Sequence, residues 1–169
     1  LCRPKYQILN AIKSYLVAEF SEAHSHDKNF KASDPKLLEK LCLKDKVFCS
    51  TYSSFLEKLL ETSWDNVQGS GTQNNVYHLG ESHCLSYAYR IITLNESKFK
   101  IVPRLTFGAK AFHFSCIKYN IFKAITEANF VSLPQKSKVF LSFGEIDCRP
   151  NEGFICASRK IQKPIKELI

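Results

Sequence analysis

The chain has 169 residues, a length that suits one domain with a sizeable core. Hydrophobic residues at 44% and charged residues at 24% are ordinary for a globular protein, and no apolar run approaches the ~18 residues of a membrane span. The formal charge of +8 suggests attraction to anions, but the lysines are scattered among acidic residues without a basic block, which makes nucleic acid an unlikely partner.

The first residues, Leu1-Cys2-Arg3-Pro4-Lys5-Tyr6, contain neither an initiator Met nor the apolar core of a signal peptide, so the chain reads as a processed or partial product. Ile8, Leu9, Ile12, Leu16, Val17 and Phe20 recur at three- and four-residue spacing and predict an amphipathic helix over Tyr6 to Phe20. The polar stretch Ser21 to Lys31 breaks that pattern. Ser33-Asp34-Pro35 then offers a helix start, continued by Leu37, Leu38, Leu41 and Leu43, and a third helix is expected from Ser53 to Trp64. Asp65 to Asn75 has the composition of a linker, which divides an all-helical segment, 1–70, from an α/β unit, 75–169.

Seven cysteines, odd in number and without a C-x-x-C pair, indicate neither a zinc knuckle nor a disulfide framework. An intracellular, reducing compartment is the simpler expectation, with no metal and no cofactor. Asn95-Glu96-Ser97 matches a glycosylation sequon, a pattern short enough to arise by chance.

The second unit alternates in character. Val76 to Leu79 reads as a short buried strand ending at Gly80, and Glu81-Ser82-His83 leads from it into a helix containing Leu85, Tyr87 and Ala88. Ile91 to Leu94 and Phe99 to Leu105 read as strands separated by a turn, and Phe122 to Val131 as a helix ended by Leu133-Pro134. Lys138 to Phe143 is a further apolar strand, again running into a Gly-led polar cluster, Gly144-Glu145-Ile146-Asp147-Cys148-Arg149-Pro150. Two strands that each end in Gly and reactive side chains imply a parallel sheet with a site at the strand C-termini. Val76–Leu79, Phe99–Leu105 and Val139–Phe143 are therefore expected to be neighbouring parallel strands, with Ser82 and Gly144 at one sheet edge within about 10 Å.

A serine at a strand-to-helix turn sits beside unsatisfied backbone N–H groups able to hold an oxyanion, although Ser82 in that position equally suits a helix cap. Glu145, Asp147 and Arg149 read either as a substrate site, with Arg149 binding an anionic or polyhydroxylated group, or as a salt-bridge network holding the loop. His83 is expected to contact substrate or support structure, since adjacent residues on a turn rarely aim at one another. His78 and His113 read as satisfied, partly buried residues, and His24 and His26 as members of a solvated loop.

Tyr77-His78-Leu79-Gly80-Glu81-Ser82-His83-Cys84-Leu85-Ser86 resembles the first block of the SGNH/GDSL-type hydrolases, a strand followed by Gly-Asp-Ser, with Glu81 in place of Asp. Gly108 is in the right order for the second block's glycine, and Gly144-Glu145-Ile146-Asp147 for the third block, Gly-x-Asn-Asp, with Ile146 where an Asn would donate to the oxyanion. No histidine follows Asp147, so the family's Asp-x-x-His segment is not found in this chain. The resemblance implies a three-layer, flavodoxin-like α/β fold with a parallel sheet. It also implies Ser82 as nucleophile, the N–H groups of Ser82 and Gly108 as oxyanion hole, and His83, Glu145, Asp147 and Arg149 as substrate-binding residues. The substrate would be an ester, an O-acetyl or acyl group on a small molecule, glycan or lipid. The alternative is a catalytically impaired module serving binding or assembly, with a protein partner docked on the N-terminal helices.

Overall fold

The first expected helix is broken at Ala18. In the computed structural model, which describes residues 3–67 and 74–167, α1 (Arg3–Leu16) ends before Ala18, whose φ of 63° is left-handed, and α2 (Phe20–Lys31) begins two residues later. The stretch Ser21 to Lys31 is thus helical, contrary to its polar composition. The reason lies in α2's buried stripe of Phe20, Ala23, Asp27 and Phe30, which keeps helical spacing with a carboxylate as one member. Buried Asp27 is satisfied by Ser53, whose hydroxyl donates to Oδ1 at 2.5 Å, and by Lys31, 2.9 Å from Oδ2.

Helix α3 (Pro35–Glu39) starts as its sequence dictates, with Pro35 in the first turn and the Asp34 carboxylate accepting the Lys36 N–H at 2.9 Å. It is shorter than the leucine pattern suggests: Leu41 is buried outside it, and Leu43 opens α4 (Leu43–Val67), ten residues before the expected start. Ile8, Ala11, Ile12 and Tyr15 of α1 and Leu56, Leu59 and Leu60 of α4 are buried in this helical unit, each large side chain contributing about 1.5–3 kcal/mol. The chain divides into two compact units, 1–71 and 72–169. Among the described residues no helix is long and apolar enough to cross a membrane.

The second unit is α/β, built on a four-stranded sheet in the order β2-β3-β1-β4, where β1 is Asn74–Gly80, β2 Ile91–Leu94, β3 Ser97–Leu105 and β4 Lys138–Ser142. Central β1 pairs in parallel with β3, Gly80 opposite Leu105, and with β4, Gly80 opposite Ser142. The three expected strands are therefore parallel neighbours. The sheet as a whole is mixed, not parallel: β2 runs antiparallel to β3, with Leu94 opposite Ser97. Its two-residue loop has φ of 47° at Asn95 and 63° at Glu96, the mark of a hairpin turn that leaves no chain for a crossover.

Being central, β1 buries Val76, Tyr77, His78 and Leu79 in succession, with Val76 packed against Phe99 and Ile101 of β3. Pro103 is tolerated in β3 because β2 pairs only as far as Lys100; Ile101 donates its N–H to Arg90, and beyond it this edge has no β2 partner. Helices α5 (Ala111–Ser115), α6 (Ile121–Val131) and α7 (Phe154–Ile161) complete the unit. α6 is capped by the Asn120 side chain, which accepts the N–H groups of Phe122 and Lys123.

Candidate functional site

The site is assembled where β1 and β4 end side by side. Gly80 is required there, because a Cβ would stand 2.4 Å from Ser142 Oγ and 2.8 Å from its carbonyl oxygen. The next residue, Glu81, is 1% exposed; its N–H donates to the Ser142 carbonyl at 3.4 Å, and its Oε1 accepts the Glu145 N–H at 3.0 Å. Its other oxygen, Oε2, is buried with no hydrogen-bond partner among the described residues. Burial raises the Glu81 carboxyl above the ordinary carboxylate range, opposed by the Glu145 backbone hydrogen bond.

Ser82 opens a 3₁₀ turn, Ser82–Tyr87, for which Glu81 stands at the cap position, and Ser82 itself makes no side-chain cap. It is half-buried, and its hydroxyl has no partner among the described residues. His83 is solvent-facing, with Nδ1 3.5 Å from Glu145 Oε2. Glu145 is gripped by Arg149, whose Nε lies 3.0 Å from both carboxylate oxygens and whose Nη2 lies 2.8 Å from Oε2. Those hydrogen bonds hold the Glu145 carboxyl below its usual range. Nη1 of Arg149 lies 3.5 Å from Glu152, so both ends of the guanidinium fork face carboxylates of this chain.

Asp147 sits differently from its expected role. It is buried, with Oδ2 accepting the Ala111 N–H at 2.7 Å and Oδ1 the Phe112 N–H at 3.2 Å. Both oxygens are thus committed to the first turn of α5, tying the third motif to the segment after Gly108. Gly153 passes so close that a Cβ would stand 1.6 Å from the Asp147 carbonyl oxygen. Gly108 has φ of 66° with nothing within 4 Å of where a Cβ would lie, and its loop is anchored by the Thr106 N–H, which donates to the Gly80 carbonyl at 2.8 Å. Ile146 is buried, and its aliphatic side chain offers no donor.

The remaining histidines are engaged elsewhere. His78 Nε2 lies 2.7 Å from Ser142 Oγ, its ring 6.0 Å from that of Tyr87 and 6.4 Å from that of Phe140, and burial lowers its pKa. His113 stacks on Phe122 at 3.9 Å and accepts the Lys110 N–H on Nδ1 at 2.9 Å, with its pKa likewise lowered by burial. His24 and His26 lie on α2, in a helix and not the expected loop, and His26 Nδ1 is 3.0 Å from Gln7 Oε1.

The structure thus brings Ser82, His83, Glu145 and Arg149 to one edge and turns Asp147 inward. The sequence reading missed Ser142 and the part played by Glu81. The signal for Ser142 was the glycine opposite it, whose missing Cβ makes room for its hydroxyl; the signal for Glu81 was its extra methylene relative to Asp, which lengthens its reach. The arrangement presents a hydroxyl and backbone donors at a strand end, the elements of acyl transfer, without a histidine hydrogen-bonded to that hydroxyl. Compared with models of known families, with curated proteins and with solved structures, the chain gives no match in any of the three.

Proposed function

We propose that residues 72–169 form an SGNH-type, flavodoxin-like module for ester cleavage or acyl transfer, with Ser82 as the nucleophile. The observation that carries this reading is the position of Ser82: half-buried, its hydroxyl without a partner among the described residues, one residue after the Glu81–Glu145 link that joins the ends of two parallel strands. Open α/β sheets bind their ligands at such strand C-termini. Ser82 Oγ attacks the acyl carbonyl, the N–H groups of Ser82 and Gly108 donate to the oxyanion, and collapse expels the alcohol, leaving an acyl-serine for water or an acceptor alcohol. His83, Glu145 and Arg149 line the rim as contacts for a hydroxylated leaving group such as a glycan, and Asp147 positions the Gly108 segment. With His78 and His113 engaged elsewhere, the Ser82 proton passes to water, which returns a proton to the departing alcohol, a slow route for lack of a base in contact with the hydroxyl.

A second reading, a non-catalytic module for binding or assembly, is favoured by the buried Ile146 and by a Ser82 hydroxyl to which no base is hydrogen-bonded. Its docking surface would be the N-terminal helices, where Leu43 and Val47 are exposed.

A fluorophosphonate probe separates the two. The first reading expects a mass adduct mapped to Ser82 and abolished by Ser82→Ala; a folded protein without an adduct supports the second. Simple acetyl esters are expected to turn over slowly, at about a thousandth or less of a complete triad's rate, because nothing in contact with Ser82 removes its proton. Fast p-nitrophenyl acetate hydrolysis abolished by Ser82→Ala would reject the binding-module reading.

A further inference from the structure

Glu81 is left with a need that its protein neighbours do not meet. Its side chain is buried, Oε1 is taken by the Glu145 N–H, and Oε2 has no partner among the described residues. A buried carboxylate oxygen calls for a proton or a cation, since the penalty of leaving it bare exceeds that of an unpaired neutral group. Two further donor groups stand near the Glu81 carboxylate at exposed positions. One ring nitrogen of His83, one carboxylate oxygen of Glu81 and one of Glu145 all lie within 4.8 Å of one another.

We propose that Glu81, His83 and Glu145 form a three-ligand site for a divalent transition-metal cation of the Zn²⁺ class, with Glu81 as its floor and His83 and Glu145 as its rim. The spacing suits such an ion. Ligand atoms at Zn–N and Zn–O bond lengths stand about 3.4 Å apart in a tetrahedral site, and His83 Nδ1 is already 3.5 Å from Glu145 Oε2. Drawing in the Glu81 oxygen takes a shift on the order of an ångström; at the rim His83, 48% exposed, has room to turn, while Glu145 is held by Arg149. One imidazole and two carboxylates match Zn²⁺ and its neighbours; Ca²⁺ and Mg²⁺ favour all-oxygen sets, and Cu⁺ favours sulfur. Three protein ligands leave a fourth position for water. Arg149 competes with the ion, because Glu145 Oε2 already faces its Nε and Nη2 while Oε1 faces Nε alone, so binding through Oε2 requires the guanidinium to give up one of these contacts. The site shares His83 and Glu145 with the proposed substrate rim, but cation binding by these three side chains does not depend on Ser82 being a nucleophile.

The full chain, its exposed cysteines alkylated, is titrated with CoCl₂ and followed by visible absorbance. One equivalent is expected to bind, with ligand-field bands of a nitrogen and oxygen site and without a thiolate charge-transfer band. His83→Ala and Glu145→Gln, both at exposed positions, are each expected to weaken binding by at least about tenfold, with circular dichroism unchanged, and His24→Ala on the helical unit to leave it as in the parent. Absence of binding, a thiolate band, or an affinity unaltered by both rim variants would overturn the assignment. Glu81→Gln tests the floor: a folded variant that keeps the parent affinity would overturn it too.

Discussion

The backbone N–H of Glu145 donates to Glu81 Oε1 at 3.0 Å, across 64 residues of chain. This hydrogen bond joins the turn after β1 to the turn after β4, tethering the Ser82 segment to the Glu145–Arg149 segment. A carboxylate accepting a backbone N–H away from water makes a stronger link than a neutral pair.

The two oxygens of Glu81 separate in mutants. Glu81→Ala leaves the Glu145 N–H without its acceptor and is expected to cost about 1–3 kcal/mol. Glu81→Gln keeps an acceptor for that N–H and removes a charge that burial disfavours, so its stability is expected to equal or exceed that of Glu81→Ala by most of that amount. Urea unfolding of the two variants checks the order, and a less stable Gln variant would contradict it.

Asp147 is expected to behave as a structural cap. Asp147→Ala strips two acceptors from the first turn of α5 and should cost about 0.5–2 kcal/mol as a lost cap, with further loss from burying bare N–H groups. Asp147→Asn keeps acceptor capacity and should lose less. Gly153→Ala should lower the melting temperature as well, because its methyl group meets the Asp147 carbonyl. Wild-type stability in the Ala variants would show that α5 does not depend on Asp147.

His78 makes stability depend on pH. Its pKa is lowered in the folded chain by burial, so the unfolded chain binds the proton more readily. Stability is then full above the unfolded value of about 6.5 and falls as pH drops from there through the lowered folded pKa. His78→Gln is expected to flatten that part of the profile while keeping a partner for Ser142. Chemical denaturation from pH 7.5 to 5 measures it, and equal slopes in parent and variant would remove His78 as the cause.

Cysteine reactivity should divide sharply. Cys84 is fully buried and its thiol is pushed up to about 12 by burial, whereas Cys42 and Cys148 are exposed. Because the thiolate is the reactive form, iodoacetamide at pH 8 should label Cys42 and Cys148 and spare Cys84 until the chain unfolds. Peptide mass mapping reads this directly, and early Cys84 labelling would mean that the turn after Ser82 opens in the native state.

Where neighbours in sequence are also the physical cause, the structure was legible from the chain alone. The Asp34-Pro35 start of α3 rests on one side chain capping a backbone N–H two residues on, and the Asn95-Glu96 turn on the tolerance of two consecutive residues for positive φ. The apolar run 76–79 likewise announces a strand, because a central strand covered on both faces buries successive residues; the run 139–143 also falls on a strand, but on the sheet edge, where Phe140 and Leu141 are exposed. What lay beyond reach depended on distant partners. α2 is helical despite its polar composition because Phe20, Ala23, Asp27 and Phe30 form a buried stripe, and burying Asp27 in it draws on Ser53, 26 residues away. Arg149 and Asp147 are close in sequence yet part company in the fold, one held by Glu145 and Glu152, the other turned under α5 by N–H groups 36 and 35 residues earlier. Composition lists the charged groups that a site contains, but only the tertiary structure decides which of them are already satisfied, since hydrogen bonding and burial are properties of three-dimensional neighbours.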